Sequence, residues 1–338
     1  MKFNMLSLVK SQMFAPPPVL HADLTGKTVL VVGANTGIGF EAAKHFATMN
    51  PARLILACRS QSKGQAALEN IKASTGCATA ELRLVDLAEF ASVRRFADTF
   101  NKDGGRLDLL IQNAAVAPFS YEATKDGWES SIQVNNLSTS LLTLLLLPRM
   151  LQTARDHDSL PRIVFVSSVV HALAKMDDAL CADPAMTRTL GSAEFHKKNP
   201  GSRYATTKLL NILFVRALNA RLASPKPLIV NAVNPGYCYS ELRRNFSGLL
   251  AVVDAVQERL LAFTSEQGSR QLVYGAVAPP AGLYGAYIDL SAVAEESDFV
   301  LSEQGAQVEN RVWDEMVQIL SEVDPRVAET VKTHLSHL

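Results

Sequence analysis

The stretch VVGANTGIGF, residues 31–40, joins an apolar run to a helix-like run through a turn that contains Gly33, Gly37 and Gly39. Glycine lets a backbone turn tightly and approach a ligand, and a helix N-terminus offers free N–H groups and a positive dipole end. Such a turn suits a pyrophosphate, and a turn that needs glycine only for its shape is the alternative. The spacing G-x-x-x-G-x-G differs from the six-residue fingerprint of the longer dehydrogenases.

Strand-like and helix-like segments alternate along the chain around this turn. Continuous apolar strands separated by helices indicate a parallel sheet that is covered on both faces. We therefore predict one α/β domain over residues 23–338, a Rossmann-like doubly wound parallel sheet with helices on both faces and ligands at the carboxyl ends of its strands. The predicted strands are TVLVV (28–32), RLILA (53–57), ELRLV (81–85), LDLLIQ (107–112), RIVFVS (162–167), LIVNAV (228–233) and GAYID (285–289).

Composition excludes several classes of protein. The 338 residues are 48% hydrophobic and 20% charged with a formal net charge of +0, so there is ample material for a core. Without a basic excess or a Lys/Arg-rich block, a nucleic-acid partner is not expected. Four scattered cysteines (Cys58, Cys77, Cys181 and Cys238) show no C-x-x-C pair and no histidine at metal spacing, which predicts reduced thiols of a cytoplasmic protein and no metal site.

Residues 1–22 form an N-terminal extension. Its apolar residues are interrupted by Asn4, Ser7, Lys10 and Gln12, so neither a signal-peptide core nor a transmembrane segment is predicted. A short amphipathic helix on the protein body, or in peripheral contact with a membrane, is compatible with the pattern. The prolines at 16–18 end this segment as an extended linker.

Tyr204 and Lys208, in RYATTKLLNILF (203–214), fall on one helix face one turn apart. That spacing is common by chance, but further motifs accompany it in a fixed order. With the glycines and these motifs, the chain resembles a short-chain dehydrogenase/reductase from about Asp23 to its C-terminus. The motifs are VDLA (85–88), QNAA (112–115), QVNN (133–136), VSS (166–168), YATTK (204–208) and NPGYCYS (234–240).

A closer resemblance links the chain to a retinol-dehydrogenase-like fungal subgroup that includes tailoring reductases of secondary metabolism. The stretches that carry it are LTGKTVLVVGANTGIG, LACRS, SSVVH and FVLSEQGAQVENRVWDEM. The implied activity is hydride transfer between a nicotinamide and a carbonyl or alcohol. A non-redox lyase or cyclase, or a nucleotide-binding regulator, is the alternative on the same fold.

The resemblance implies catalytic roles for Asn135, Ser168, Tyr204 and Lys208. Tyr204 is matched to the general acid/base, and Lys208 to the cation that lowers the pKa of a phenol, ordinarily about 10, and binds the nicotinamide ribose. Ser168 is matched to the hydroxyl that stabilises charge on the carbonyl oxygen. Asn135 is matched to the asparagine that holds a relay water near the lysine. The neighbouring Ser167, Asn136 and His171 are interpreted as structural.

The same matching implies which residues contact the cofactor. The chain departs from the family pattern at four positions, which leaves the fine geometry of the cofactor site open. Val32 replaces the common threonine, Ala115 the usual glycine, Cys238 the common valine and Ser240 the common threonine. The implied contacts are Gly33, Asn35, Thr36, Gly37, Ile38 and Gly39 at the pyrophosphate, Asp86 and Leu87 at the adenine, Asn113, Ala114 and Ala115 on the ribose side, and Pro235, Gly236, Cys238 and Ser240 at the carboxamide, besides Tyr204 and Lys208.

Cofactor choice depends on the end of the second predicted strand. An enzyme that selects NAD places an acidic residue there, which would repel a 2′-phosphate. Here the strand ends in RLILACRS, so Arg59 follows it and Lys63 comes soon after. A guanidinium fork suits a phosphate, which predicts NADPH/NADP+ as the cofactor.

Two segments exceed what nucleotide binding requires, one near 169–203 and one near 240–264. Both follow the carboxyl ends of strands, so both are predicted to form a lid over the nicotinamide. Apolar residues recur at helical intervals in the second, which predicts a bulky apolar or aromatic carbonyl or alcohol substrate. His196, Arg243 and Arg244 leave a carboxylate or phosphate substrate open as an alternative.

The helices predicted near 127–153 and 202–223 carry wide apolar stripes. In the family, the matching helices pair across a two-fold axis, so a homodimer is expected. The alternative is that both stripes are fully buried against the sheet of the same chain.

Overall fold

The structure is a computed structural model that describes residues 12–13, 16–199, 201–239, 258–259 and 261–336. Within these ranges the chain forms a sheet of eight strands in the order β3-β2-β1-β4-β5-β6-β7-β8. All neighbouring pairs are parallel except β7 and β8, which are antiparallel. The strands are β1 (Thr28–Val32), β2 (Arg53–Cys58), β3 (Ala80–Leu84), β4 (Leu109–Gln112), β5 (Arg162–Val166), β6 (Ile229–Asn234), β7 (Tyr287–Asp289) and β8 (Ala292–Ala294).

Helices cover both faces of this sheet, which confirms the doubly wound prediction. A short turn (Ser130–Ile132) and a π-helical turn (Gln133–Leu137) precede α4, and a 3-10 turn (Val169–Leu173) follows β5. The helices are α1 (Gly37–Ala47), α2 (Gln61–Thr75), α3 (Phe90–Asp103), α4 (Ser138–His157), α5 (Asp178–Ala182), α6 (Met186–Leu190), α7 (Ala193–Lys198), α8 (Arg203–Arg221), α9 (Ser265–Val277), α10 (Asp298–Leu301), α11 (Glu303–Val323) and α12 (Arg326–His334).

Strand β1 shows why the fold has two cores. Alternate side chains of a strand point to opposite faces of the sheet. Leu30 and Val32 therefore join the core beneath α3, α4 and α8, whereas Val29 and Val31 join the core beneath α1, α2 and α9. Because both faces are buried, the strand is continuously apolar after Thr28 rather than alternating. The switch in strand order beside β1 opens a crevice at the carboxyl ends, where ligands bind in such sheets.

The apolar stripes of α4 and α8 are covered by the C-terminal helices of the same chain. Helix α11 packs on α8 and α12 packs on α4. Trp313 of α11 stacks on Phe214 of α8 with ring centroids 5.6 Å apart, and Arg216 of α8 pairs with Glu309 of α11 at 2.8 Å. These stripes are therefore buried within one chain over the residues that the structure describes, and the expected homodimer stays a prediction. The surplus apolar surface exists because each helix packs on the sheet and on a C-terminal helix.

The segment near 169–203, before Tyr204, is largely helical. Glu315 of α11, which is buried, accepts hydrogen bonds from the backbone N–H groups of Thr187 (2.6 Å) and Arg188 (3.2 Å) at the start of α6. A carboxylate at this position satisfies donors that the helix start leaves free. The C-terminal helices therefore also hold the segment near 169–203, the first of the two segments predicted to form a lid. Most of the second one (240–257 and residue 260), including Ser240, Arg243 and Arg244, lies outside the described residues.

The described part of the N-terminal extension lies along α9. Arg270 donates from Nη1 to the carbonyl oxygens of Pro16 (3.2 Å) and Pro17 (3.3 Å). The predicted amphipathic helix falls mostly on residues outside the described ranges. None of the helices that the structure describes is long and apolar enough to cross a membrane.

Candidate active site

The glycine turn after β1 needs each of its glycines for a different reason. Gly33 has φ +83°, and a Cβ there would lie 2.9 Å from the Cα of Ala114. A Cβ at Gly39 would lie 2.3 Å from Nδ2 of Asn113. Gly37 has φ +60° and open space around the position of a Cβ, so only its backbone conformation requires glycine. The turn therefore packs tightly against the end of β4 and leaves its outer side open.

Helix α1 starts from this turn without a side-chain cap. Thr36 is its N-cap residue, with an extended backbone, and its hydroxyl makes no capping hydrogen bond. The flanking Asn35 and Ile38 are partly exposed. Asn113, which follows β4, donates from Nδ2 to the carbonyl oxygen of Gly33 at 2.9 Å and holds the turn in place. N–H groups at the start of a helix and a glycine turn are the donors that a pyrophosphate uses, so these residues fit the phosphates of a dinucleotide.

The predicted adenine side lies at the ends of β2 and β3. Asp86 accepts a hydrogen bond from the N–H of Ala88 at 2.9 Å, and Leu87 beside it is buried. Arg59 is exposed directly after the last residue of β2. In the part of the chain that the structure describes, its guanidinium makes neither a hydrogen bond nor an ion pair. Lys63 lies in the first turn of α2.

The two serines after β5 have different surroundings, as alternation predicts. Ser167 is 1% exposed and donates from Oγ to the carbonyl oxygen of Lys208 at 2.8 Å, which ties β5 to α8. Ser168 is half-buried and starts the 3-10 turn, where its Oγ accepts from the N–H of Val170 at 3.3 Å. Only the Ser168 hydroxyl is therefore available to a ligand in the crevice.

Tyr204 and Lys208 lie in the first turns of α8, as their spacing predicts. Lys208 is 2% exposed, its Nζ donates to the carbonyl oxygen of Val166 at 2.7 Å, and its Nζ lies 5.4 Å from the centroid of the Tyr204 ring. Burial lowers the pKa of Lys208 to about 7, because removal from water disfavours the charged amine. The pair joins a phenol with an amine that exchanges its proton near neutral pH.

A cavity of about 530 Å³ opens beside the Tyr204 ring. Its walls come from the turn after Ser168, from the residues that follow α7 and from the start of α8. Two lysines lie on its rim, and one of them, Lys198, pairs with Glu194 at 2.7 Å. The lining residues are Val170, Leu173, Lys175, Lys198, Asn199, Gly201, Ser202, Tyr204 and Ala205.

Asn135 and Asn136 occupy the π-helical turn before α4, and both face α8. The amide of Asn135 accepts from the N–H of Val116 at 2.8 Å and donates to the Val116 carbonyl at 2.9 Å and to Thr207 Oγ1 at 3.1 Å. Asn136 donates to the Thr207 carbonyl at 2.8 Å and to Asn211 Oδ1 at 2.6 Å, in keeping with a structural role. The Asn135 side chain thus fixes the segment after β4, and its match to a water-holding residue stays a prediction.

The loop after β6 places Pro235, Gly236 and Cys238 at the same edge of the sheet. Gly236 has φ +81°, and a Cβ there would lie 2.8 Å from the Phe263 ring. Cys238 is buried and donates from Sγ to the carbonyl oxygen of Pro235 at 3.1 Å. Like the other three cysteines it forms no disulfide. The loop is therefore rigid at its glycine and closely packed.

His171 is buried and bonded on both ring nitrogens. Nε2 accepts from the N–H of Ser297 at 3.0 Å, so Nδ1 carries the proton and donates to the Ser168 carbonyl at 2.8 Å. Burial lowers its pKa, which favours this neutral form. These contacts agree with the structural interpretation of His171 and leave no free nitrogen for a base.

Sequence reasoning missed a buried ion pair directly before the tyrosine. Arg203, 5% exposed, lies 3.0 Å from Glu129, which is 0% exposed. Its Nη2 also donates to the carbonyl oxygens of Pro118 (3.1 Å) and Ser120 (3.0 Å). Arg203 therefore joins the start of α8 to the loop after β4. The spacing of Arg203 and Glu129 in the sequence gives no signal for this contact. An arginine at the start of a largely apolar helix is the one local sign that a buried partner is needed.

No group of three or more His, Cys, Asp or Glu residues that could hold a metal ion occurs among the residues described. The open glycine turn, the uncapped start of α1 and the Tyr204–Lys208 pair share the crevice edge of the sheet. Their donor set fits a dinucleotide with its phosphates at α1 and its reactive ring near Tyr204.

Comparison with known proteins agrees with this arrangement. The sequence profile of the family described as short chain dehydrogenase matches residues 27–176. The short chain dehydrogenase/reductase dmxR8 of Cryptosporiopsis sp. is 34% identical over 325 residues, which cover 95% of this chain and 99% of that protein. The short-chain dehydrogenase/reductase phmF of Phaeosphaeria nodorum is 35% identical over 300 residues, which cover 88% of this chain and 87% of that protein.

Solved structures share the fold. A crystal structure of an uncharacterised protein from Mycobacterium paratuberculosis has a TM-score of 0.65 at 26% identity, covering 92% of this chain and 97% of that chain. Salutaridine reductase from Papaver somniferum has a TM-score of 0.61 at 23% identity, covering 78% of this chain and 99% of that chain. The second likeness shows the fold alone.

Proposed function

The chain belongs to the short-chain dehydrogenase/reductase family, and we propose that it is an NADPH-dependent reductase of bulky apolar or aromatic carbonyl compounds. In the reverse direction it acts as an alcohol dehydrogenase. The observation that carries the proposal is the position of Tyr204. Its ring lies beneath the buried Nζ of Lys208, and the residue lines a cavity of about 530 Å³. Fungal relatives at 33–35% identity support a role as a tailoring reductase of fungal secondary metabolism.

In this reaction a bound nicotinamide supplies the hydride. Tyr204 donates its hydroxyl proton to the carbonyl oxygen of the substrate, and Ser168 donates a hydrogen bond to the same oxygen as negative charge develops. The Lys208 amine, protonated, stabilises the phenolate that remains, since an opposite charge nearby favours the ionised form. Its pKa of about 7 lets it return a proton to Tyr204 at neutral pH.

Arg59 and Lys63 support NADPH over NADH. The exposed guanidinium follows β2, where an acidic residue would hold ribose hydroxyls in an NAD-selective enzyme. A planar guanidinium can bind a phosphate through two parallel hydrogen bonds, and Lys63 adds a second cation one turn into the helix.

The cavity walls support the substrate class. Val170, Leu173 and Ala205 supply apolar surface beside Tyr204, and Leu173 is 46% exposed, so its side chain is open to contact with a ligand. Lys175 and Lys198 lie on the rim, where an acidic or hydroxyl-rich part of a large substrate could contact them. The apolar stripe predicted for the second lid segment falls largely outside the described residues.

The intact set of Asn135, Ser168, Tyr204 and Lys208 favours a reductase over a non-redox lyase, cyclase or nucleotide-binding regulator. A protein that only binds a nucleotide has no need for the proton-donating pair. A test follows absorbance of the reduced nicotinamide with retinal, an anthraquinone and an aryl ketone, against dihydroxyacetone and pyruvate. Faster turnover of the small polar compounds, or none at all alongside tight cofactor binding, would contradict the proposal.

For location and assembly, we propose a cytoplasmic enzyme that does not pair through α4 and α8. The family resemblance favours a homodimer built from these helices, but α11 and α12 cover them. A homodimer would therefore have to use a different surface. No nucleic-acid partner is proposed.

A further inference from the structure

A single peptide group, the one that joins Ser168 to Val169, is held on both sides by buried side chains. Its carbonyl oxygen accepts from Nδ1 of His171 at 2.8 Å. Its N–H donates to Oδ1 of Asn234 at 3.1 Å. Because the orientation of this peptide sets the ψ angle of Ser168, both contacts fix the backbone from which the Ser168 hydroxyl projects.

Asn234 makes this contact while it also holds the loop after β6. It is the last residue of β6 and is 2% exposed. Its Oδ1 also accepts from the N–H of Gly236 at 3.2 Å, and its Nδ2 donates to Oδ1 of Asp289 at 3.0 Å. Two N–H donors on one side and a carboxylate on the other leave only one orientation of the amide that satisfies all three partners.

We propose that Asn234 is a positioning residue that sets Ser168 and the Gly236 loop in one fixed geometry, with Asp289 orienting its amide. The inference rests on the proposed function, since Ser168 is assigned there to the substrate oxygen, and on the family resemblance, which matches Gly236 to the carboxamide side of the nicotinamide. One amide oxygen links the two segments, so a change at this atom affects both of them at once.

The strand order explains how this link forms. Strands β5, β6 and β7 are neighbours, and their carboxyl ends carry Ser168, Asn234 and Asp289 at one edge of the sheet. The side chain of Asn234 therefore bridges both neighbouring strand ends. Asn231, three residues earlier on β6, is 0% exposed and donates to the carbonyl oxygen of Gly275 in α9 at 2.9 Å. It serves as a matched residue that stabilises the fold away from the reacting groups.

The test exchanges the side chains of Asn234 and Asp289, first one and then both. In Asn234→Asp a carboxylate faces Asp289, which already has a pKa raised by burial. Asp289 also accepts from the N–H of Leu290, and burial together with the charge of Asp289 raises the pKa of Tyr287 on the same strand. Two facing carboxylates repel unless they share a proton, so this variant should work at low pH and fail as pH rises. Adding Asp289→Asn restores a donor and an acceptor in reversed order.

Two readouts need no substrate, so they separate this inference from the proposed function. One is hydrogen exchange of the Val169 and Gly236 amides in the protein without cofactor. The other is the dissociation constant of NADPH, from its fluorescence. We expect Asn234→Asp to speed exchange at both amides and to weaken NADPH binding about three- to tenfold at high pH, the loss expected for one hydrogen bond. At low pH, and in the double variant, both readouts return towards the wild type.

With the best carbonyl compound of the panel, kcat should fall with the same pH dependence. The control variant Asn231→Asp should lower the melting temperature without a pH-dependent change in NADPH affinity or in exchange at Val169. The inference is overturned if Asn234→Asp behaves like Asn231→Asp, if only one of the two amides responds, or if Asp289→Asn fails to restore both.

Discussion

Nζ of Lys208 lies 5.4 Å from the centroid of the Tyr204 ring and is buried at the end of β5. The amine is held there by the main-chain carbonyl of Val166, at 2.7 Å, rather than by a carboxylate. A buried amine without a countercharge resists protonation, which explains the pKa of about 7. The arrangement therefore couples the phenol to a group that titrates near neutral pH.

This burial predicts a pH-dependent stability. Because burial lowers the pKa of Lys208 from 10.5 to about 7, the folded state bears the full cost of the charge below pH 7. Between about pH 7 and 10.5 the folded state releases the proton first, so the free energy of unfolding rises with pH. Lys208→Met should be more stable than the wild type below pH 7, and the difference should shrink by up to about 1.4 kcal/mol per pH unit above it.

Urea denaturation of both proteins from pH 6 to pH 10 measures this difference. Other titrating groups are common to the two proteins and cancel in the comparison. A difference that stays constant across the window would show that the lysine is not held in the state described.

A second prediction concerns the ion pair between Arg203 and Glu129. Both side chains are at most 5% exposed, so removal of one partner leaves a buried charge. Arg203→Met should lower the free energy of unfolding by about 3–5 kcal/mol, and Glu129→Gln in the same chain should recover part of the loss. The exposed pair of Glu194 and Lys198 is the control, since Glu194→Gln should leave the free energy of unfolding almost unchanged. Equal losses at the two pairs would contradict this account.

Cofactor selectivity is the third prediction. Arg59→Asp should lower kcat/KM with NADPH and raise it with NADH, because a carboxylate repels the 2′-phosphate and accepts from ribose hydroxyls. We expect a selectivity change of about tenfold or more, the effect of one charge-assisted hydrogen bond. Arg155, which is exposed in the last turn of α4, provides a control through Arg155→Asp. Unchanged selectivity in Arg59→Asp would refute the assignment.

The fourth prediction concerns assembly. Because α11 and α12 cover α8 and α4, light scattering at micromolar concentration should detect a species of 36.7 kDa. A species of twice that mass would show that another surface pairs, and cross-links between α8 helices of two subunits would contradict the burial described.

The sequence predicted the fold well because its signals are local. The glycine turn and the apolar strands determine a doubly wound sheet through backbone geometry and burial, and Tyr204 and Lys208 needed only helical spacing. Strand β8 was not predicted, since three residues at a sheet edge (Ala292–Ala294) carry little pattern.

Contacts between distant segments were beyond local patterns. The apolar stripe of α8 was visible, but its partner Trp313 lies 99 positions after Phe214 in the sequence, and nothing local pairs the two rings. The bond from Asn234 to Val169 spans 65 positions and depends on the neighbouring positions of β5 and β6 in the sheet. Such contacts depend on which strands and helices are neighbours, so they cannot be predicted before the strand order is known.

We propose Tyr204 as the proton donor of a carbonyl reductase. The most direct test measures turnover by absorbance of reduced nicotinamide, for the wild type and Tyr204→Phe, with the best bulky carbonyl compound of the panel. We expect a loss of about a hundredfold or more in kcat, with NADPH affinity nearly unchanged, because the hydroxyl acts mainly in the transition state. Lys208→Ala, by comparison, should lower both kcat and the affinity for NADPH. A Tyr204→Phe variant that keeps more than a small fraction of the wild-type kcat would contradict the assignment.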